Sequence, residues 1–327
     1  MWNGKIVSVI VPAYNEEDTV REIVEELFRV GPVDEVIVVD NNSTDRTREI
    51  VEKFAREADF PVIYVVEEIR GSSEARNAGI RRAQGEIISF LDDDILVFPD
   101  WLVETWKGFA NLNVACIGGK ALLPPELHFP GWWDHSYDGP IGNCDLGEEV
   151  IFNQDSNLNI IGANVSFRRS VFEVYGLLSA KLSRRGNNLV MGEDSDFIRR
   201  LRANGDLAAY YPKSAVYHVP SPSRLTLAYL SRWYYRRGEW ERYAGKDETK
   251  KPEMVFWFGA PRWLYGALSR MALRTAGHAV RLQKRKAVYC FFQICFFWGY
   301  LVAFWKTNKV RPAERPANGT ILKKESA

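Results

Sequence analysis

Residues 88–102 read "ISFLDDDILVFPDWL": an apolar run stops at three consecutive carboxylates, Asp92, Asp93 and Asp94, and apolar residues resume at once. Three like charges a few ångströms apart repel one another and stay ionised only beside cations or water. A bound metal ion is one resolution and a solvated turn is the other. The apolar part, "GEIISFL", is the kind of short run that forms a strand buried on both faces of a sheet.

The hundred residues around it repeat this pattern. "KIVSVIVPAYN", "DEVIVVDNNS" and "PVIYVVEE" are further β-branched or aromatic runs, each ending in polar residues. Helical periodicity separates them. Val20, Ile23, Val24, Leu27 and Phe28 form one apolar stripe, as do Ile50, Val51, Phe54 and Ala55, with Ser43 or Thr44 as the expected N-cap of the second helix. Alternating strand and helix predicts a parallel sheet with right-handed crossovers, and ligands of such sheets collect at the carboxyl ends of the strands. Those ends carry "PAYNEE", "DNNSTD" and "DDD". No GxGxxG follows the first strand and no GxxxxGK[ST] occurs, so a bound nucleotide is gripped by side chains.

Residues 124–160 are rich in Pro, Gly, Trp and Asp and read as a long irregular segment. "NIIGANVSFRRSVFEVYG" then reads as a strand entering a helix. "GEDSDFIRRLRANG" is a helix with acids first and arginines last, stopped by Gly205, and "AAYYPKSAVYHV" is a strand. An Arg- and Tyr-rich helix follows at about 223–243. The four cysteines lack CxxC spacing and nearby histidine partners, which predicts reduced structural thiols. No signal-peptide h-region opens the chain, which predicts a catalytic body in the cytosol.

Five motifs in order, "VSVIVPAYNEEDTV", "VIVVDNNSTDRT", "GSSEARNAGIRRAQGEIISFLDDD", "GANVSFRRSVF" and "GEDSDFIRRL", resemble those of the family-two glycosyltransferases. The resemblance covers about residues 5–220. It implies an α/β GT-A fold, Rossmann-like with a mostly parallel central sheet flanked by helices. It also implies inverting transfer of a sugar from a nucleotide diphosphate, UDP favoured and GDP possible, to an acceptor hydroxyl. By similarity to the family's DxD pattern, Asp94 and Asp92 hold Mg2+ or Mn2+, with Asp92 or Asp93 touching ribose. Asp40 then accepts from a uracil imide, and Pro12, Tyr14, Asn15, Glu16 and Asn42 surround base and ribose, with Arg76 and Asn77 lining the same pocket. Ordinary turn chemistry accounts for the same residue types at strand ends.

By similarity to the family's ED motif, Asp194 is the general base and Glu193 orients the acceptor; compensation of a helix N-terminus is the structural alternative. His218 joins the metal or the diphosphate, or is a structural histidine. "YLSRW" at 229–233 resembles the QxxRW motif of processive members with Tyr229 in place of Gln; Arg232 would face phosphate and Trp233 stack on base or sugar, although a membrane-facing aromatic belt fits them equally.

The charge is divided. Residues 251–327 carry 14 Lys/Arg against 3 Glu, a net +11, within a chain of net charge +1. "AVYCFFQICFFWGYLVAFW" at 287–305 has no charge and would span about 28 Å as a helix, at about 1.5 Å per residue. Arg270, Arg274, Arg281 and Arg285 lie opposite Leu264, Leu268, Met271, Ala279 and Leu282 on a helical wheel, an interface-lying pattern. The expected organisation is therefore a GT-A domain at 1–222, an Arg/Tyr/Trp-rich helix at 223–250, membrane-associating helices at 251–306, and a disordered basic tail at 307–327. The expected place is the cytoplasmic face of a membrane, with residues 287–305 either lying in the interface or crossing once.

The expected partners are a nucleotide-sugar donor, a glycan or lipid-linked acceptor of the cell-envelope polysaccharide kind, and anionic lipids, with no nucleic acid. A non-catalytic nucleotide-sugar-binding scaffold is the alternative function. A sugar nucleotidyltransferase is disfavoured because "PAYNEE" stands where its glycine-rich phosphate loop would be.

Overall fold

The computed structural model describes residues 7–29, 34–58, 60–154, 160–182, 192–243 and 255–308. The expected tail beyond residue 308 and most of the polar loop 179–192 lie outside the described residues.

The first half follows the alternating pattern: β1 (Val7–Ala13), α1 (Glu17–Arg29), β2 (Glu35–Asp40), α2 (Thr47–Glu57), β3 (Val62–Val66), α3 (Ser72–Arg82) and β4 (Ile87–Leu91). These strands pair in parallel in the order β3-β2-β1-β4. β2 and β4 are buried along their whole lengths, because α1 and α2 cover one face and α3 the other. Val20, Ile23, Val24 and Leu27 of α1 are fully buried, and Ile50, Val51 and Phe54 of α2 pack beside them. Ala55 is exposed. The start of α2 also departs from expectation. Ser43 and Thr44 do not cap it; Asp45 Oδ1 accepts from the Thr47 amide and hydroxyl at 3.1 and 2.6 Å, while Ser43 Oγ accepts from the Asn15 amide.

Beyond β4 the sheet is mixed. β5 (Ile95–Val97), α4 (Trp101–Asn111) and β6 (Cys116–Leu122) follow the acidic triplet. Then come β7 (Ile151–Phe152), β8 (Asn164–Arg168), α5 (Ser170–Tyr175), α6 (Glu193–Ala203) and β9 (Ala208–His218). The sheet continues β4-β8-β6-β9-β5, with β7 also on β9. β8 runs antiparallel to both β4 and β6, and β9 runs parallel to β6. The 124–160 segment contains short turns at His135–Tyr137 and Gly139–Ile141.

One residue joins three strands at the place where their ladder breaks. Between β6 and β9 the register shifts, so that Gly119 pairs Tyr211 but Lys120 pairs Ala215. Asn164 of β8 donates through Nδ2 to the Lys120 carbonyl at 3.1 Å and the Ser214 carbonyl at 2.9 Å, and its Oδ1 accepts from Trp101 Nε1 at 3.0 Å. The bulge would otherwise strand these polar groups in the core.

The chain divides into two units between Trp233 and Tyr234, inside α7 (Leu227–Tyr243). The second unit continues with a two-stranded hairpin, β10 (Phe256–Trp257) and β11 (Ala260–Pro261), then α8 (Arg262–Val280) and α9 (Lys284–Asn308). Its core is Ala260, Leu264, Tyr300, Leu301 and Phe304. One helix among the described residues, over Lys284–Lys306, is long and apolar enough to cross a membrane.

Asn164→Ala leaves two carbonyls and an indole N–H unpaired, at about 1–3 kcal/mol for each buried group. Urea unfolding is expected to show a loss of about 3 kcal/mol or more; a loss under about 1 kcal/mol would mean that the bulge does not depend on this side chain.

Candidate active site

The carboxyl ends of β1, β2 and β4 face one cleft. Asp92, Asp93 and Asp94 occupy the turn between β4 and β5, and the pairing of β5 with β9 sets what they meet. Ile95 lies opposite His218, so the residue before Ile95 falls beside the end of β9. The Val219 amide donates to the Asp94 carbonyl at 2.8 Å and holds the two segments together.

His218 Nε2 is 3.4 Å from Asp94 Oδ1, and Arg224 Nη1 is 3.1 Å from Asp94 Oδ2. Arg224 comes from the turn Pro222–Leu225 that follows β9. One ligand atom from each of Asp92, Asp94 and His218 lies within 4.8 Å of the others. Asp94 Oδ1 and His218 Nδ1 are buried and have no hydrogen-bond partner. Burial holds His218 below the ordinary imidazole range despite Asp94, so it is neutral and its ring carries a lone pair. Two carboxylates, a neutral imidazole and an orphaned buried oxygen fit a divalent cation of the Mg2+ or Mn2+ kind. Gly142 lies against the imidazole: at φ +95°, a Cβ there would stand 2.7 Å from three ring atoms.

Arg76, on α3, ties this turn to the start of α6. Its side chain is 6% exposed, and Nη2 bonds Asp92 Oδ1 at 2.9 Å while Nη1 bonds Asp194 Oδ1 at 2.9 Å. Glu193 Oε1 is 3.6 Å from the same Nη1 and accepts from Ser72 Oγ at 2.8 Å. The carboxyls respond differently. Desolvation alone would raise Asp92, but the permanent charges of Arg76 and, more weakly, Arg224 outweigh it and hold it low. Desolvation and the neighbouring acids Asp94, Glu16 and Asp92 push Asp93 well above the carboxylate range. Desolvation also raises Asp194, against Arg76, and desolvation with the Asp194 charge lifts Glu193 to about 7. Partial burial and Asp94 raise Glu16.

The end of β2 is more internally bonded. Asp40 accepts from the Ser43 amide at 2.7 Å and from the Tyr64 hydroxyl. Asn15 and Asn42 both have positive φ, 53° and 67°, and Asn15 Oδ1 accepts from the Thr44 amide at 2.7 Å. Tyr14 stacks under Arg70, with Cζ 4.5 Å from the ring centre, and Pro12 is half-buried at the end of β1. Asn77 is not in the cleft set: its amide exchanges two 2.9 Å bonds with the Leu178 backbone.

Arg232 is exposed and makes no ion pair among the described residues, and Trp233 is half-buried. The arginine beside the acids is instead Arg224, which sequence reading missed; burial works against its charge and Asp94 more than offsets that. Asn41 was missed too; it bonds the Glu67 and Ile69 carbonyls and the Gly71 amide, fixing the chain that leads into α3.

A family model described as Glycosyl transferase family 2 matches residues 8–176. A glucosyl-dolichyl phosphate glucuronosyltransferase of Haloferax volcanii is 27% identical over 195 residues, covering 58% of this chain and 59% of the relative. Glycosyltransferase AglE of the same organism is 36% identical over 206 residues, covering 59% and 60%. The chain thus spans under two thirds of the length of these curated relatives. Among solved structures, the mannosyltransferase PcManGT from Pyrobaculum calidifontis, in complex with GDP-Man and Mn2+, superposes with a TM-score of 0.62 at 20% identity, covering 92% of this chain and 88% of that one. At that identity the likeness is one of fold, the GT-A type.

Arg76→Met is expected to cost about 3 kcal/mol near neutral pH, because it leaves the largely buried Glu193 and Asp194 uncompensated, while Asp92, 36% exposed, is partly screened by solvent. Asp92 has a folded-state value below its unfolded one, so its contribution is present above about pH 4 and is lost as pH falls through the folded value. The variant lacks that contribution, and protonation relieves its acids. Above about pH 4 that Asp92 contribution is constant, so the gap from wild type narrows between about pH 7 and pH 4 through protonation of Glu193 and Asp194, whose folded-state values are raised by burial. Equal gaps in urea unfolding at both pH values would show that Arg76 does not compensate these acids.

Proposed function

The chain belongs to glycosyl transferase family 2 and is a glycosyltransferase, and from that premise we propose that it moves a sugar, with inversion, from a nucleoside diphosphate to a hydroxyl of a lipid-linked or polysaccharide acceptor. The observation that carries this reading is the convergence of Asp92, Asp94 and His218, from segments over a hundred residues apart, with ligand atoms within 4.8 Å. Asp92, Asp94 and His218 would hold Mg2+ or Mn2+. When bound, that cation supplies Lewis-acid stabilisation of the diphosphate charge.

The remaining chemistry belongs to the chain. The acceptor oxygen attacks the anomeric carbon, the bond to the diphosphate oxygen breaks with its electron pair leaving on the nucleotide, and the hydroxyl proton passes to Asp194. A carboxyl raised by burial is better matched to that proton than a solvated one. Arg76 holds Asp194 in place, Glu193 orients the acceptor, and Arg224 faces the diphosphate. The residues at the ends of β1 and β2, from Pro12 to Glu16 with Asp40 and Asn42, border the base and ribose.

The PcManGT complex supports a nucleotide-sugar donor with Mn2+. The glucosyl-dolichyl phosphate relative supports a lipid-linked acceptor. The apolar α9 and the basic second unit support action at a membrane surface.

Asp194→Asn preserves shape but removes basicity. Its kcat is expected to fall by about 10²–10⁴-fold while UDP or GDP binding stays within a few-fold of wild type. Near-normal turnover would remove Asp194 from the role. For the metal, Asp94→Ala is expected to abolish manganese-dependent binding of UDP and GDP in calorimetry, and undiminished binding would overturn the metal reading.

A further inference from the structure

The apolar α9 has the length and composition of a membrane span, yet its packing partners are charged. α7 crosses it with backbone against backbone. A Cβ on Gly299 would stand 1.9 Å from the Tyr235 carbonyl oxygen, and one on Gly238 would stand 2.0 Å from that of Phe296. The crossing is therefore about halfway along the apolar run of 287–305.

Within one turn of Gly238, α7 carries Arg236, Arg237, Glu239 and Glu241, paired as Arg236–Glu239 at 2.5 Å and Arg237–Glu241 at 2.7 Å. α8 also packs on α9, through Leu264 against Tyr300, Leu301 and Phe304, and carries Arg270 and Arg274 exposed. If α9 crossed a bilayer, the crossing near Gly299 would bring the Arg237–Glu241 pair, and beside it the Arg236–Glu239 pair that reaches Lys306 at the end of the apolar run, against the hydrocarbon, where charge is costly. The arginines of α8 would be drawn into the hydrocarbon with them.

We infer that α9 does not cross the membrane: the second unit lies on one leaflet, docking on anionic lipid through the free side of α9 and the tip of the β10–β11 hairpin. The free side carries Phe291 and Trp298, seven residues apart and 40% and 47% exposed. The tip presents Phe258, 87% exposed, at a non-glycine φ of +44°. Its backbone is held by side chains of both helices. Tyr265 donates to the Trp257 carbonyl at 3.0 Å, and Trp305 donates to the Phe258 carbonyl at 2.8 Å. A large aromatic fixed outward in a strained turn suits insertion at the headgroup boundary.

Charge selects the partner. Residues 255–308 contain eight Lys/Arg and no Asp or Glu, with Arg270, Arg274, Arg281 and Lys284–Lys286 all exposed. That complements phosphatidylglycerol or another anionic headgroup rather than a zwitterionic one. The inference rests on the packing of this unit alone and holds whether or not the catalytic reading does.

The test places single cysteines at the two ends of α9, Lys286→Cys and Asn308→Cys, in full-length protein with Cys290 and Cys295 changed to Ser. A membrane-impermeant maleimide is applied to spheroplasts and to inverted vesicles of a bacterial host. Both ends are expected to label in inverted vesicles and neither in spheroplasts. Labelling of the two ends from opposite sides would overturn the inference, as would full-length protein that stays soluble. In a second arm, Phe258→Ser/Trp298→Ser is expected to weaken sedimentation with phosphatidylglycerol vesicles more than ten-fold. Arg270→Gln/Arg274→Gln/Arg281→Gln is expected to erase the preference over phosphatidylcholine vesicles. Wild-type binding by both variants, with their circular dichroism unchanged, would show that this face is not the docking surface.

Discussion

Six carboxyls meet in one cleft, Glu16, Asp92, Asp93, Asp94, Glu193 and Asp194, and the protein must keep them together without metal or substrate. Arg76 and Arg224 are what make this possible. Arg76 is buried and shared, one amino group to Asp92 and the other to Asp194, so it compensates both sides of the cleft at once. Arg224 does the same for Asp94 from the far side. Compensation is incomplete, and the residue of it is visible in Asp93 and Glu193, which burial and like charge leave on the protonated side of the carboxylate range.

The division of labour follows from where each acid sits. Asp92 and Asp94 have cationic or imidazole neighbours and an orphaned oxygen between them, which suits an ion. Asp194 and Glu193 begin a helix, where exposed amides favour negative charge, yet desolvation keeps them basic enough to take a proton. Under the proposed function, this single arginine joins the carboxyls assigned to the leaving group to those assigned to the incoming hydroxyl.

Much of this was legible in the chain. Strands buried on both faces leave continuous apolar runs, so β1, β2 and β4 and the acids at their ends stood out, as did α6 with its graded charge. His218 and the DDD turn were each visible, but their meeting was not, because it depends on the three-residue β5 and on the register of β9, which local sequence does not encode. Arg224 was hidden for the same reason: nothing in "SPSRLT" separates a cleft arginine from a solvated one. Arg232 had the better motif, yet it lies on an exposed part of α7. The N-cap of α2 falls outside the expected Ser43 or Thr44: Arg46 holds the cap position without a side-chain bond and Asp45 accepts from the Thr47 amide, because Ser43, Thr44 and Asp45 are all competent acceptors and only the path of the loop decides among them.

The bulge between β6 and β9 has a wider significance. Alternation along a strand makes facing a matter of odd and even counting, and the surplus residues between Tyr211 and Ala215 reset that count midway. The end of β9 can therefore be re-aimed by lengthening or trimming the loop-out while both halves of the ladder keep their partners. A scaffold with such an adjustable joint can diversify what its terminal histidine presents to a ligand without rebuilding the sheet beneath it.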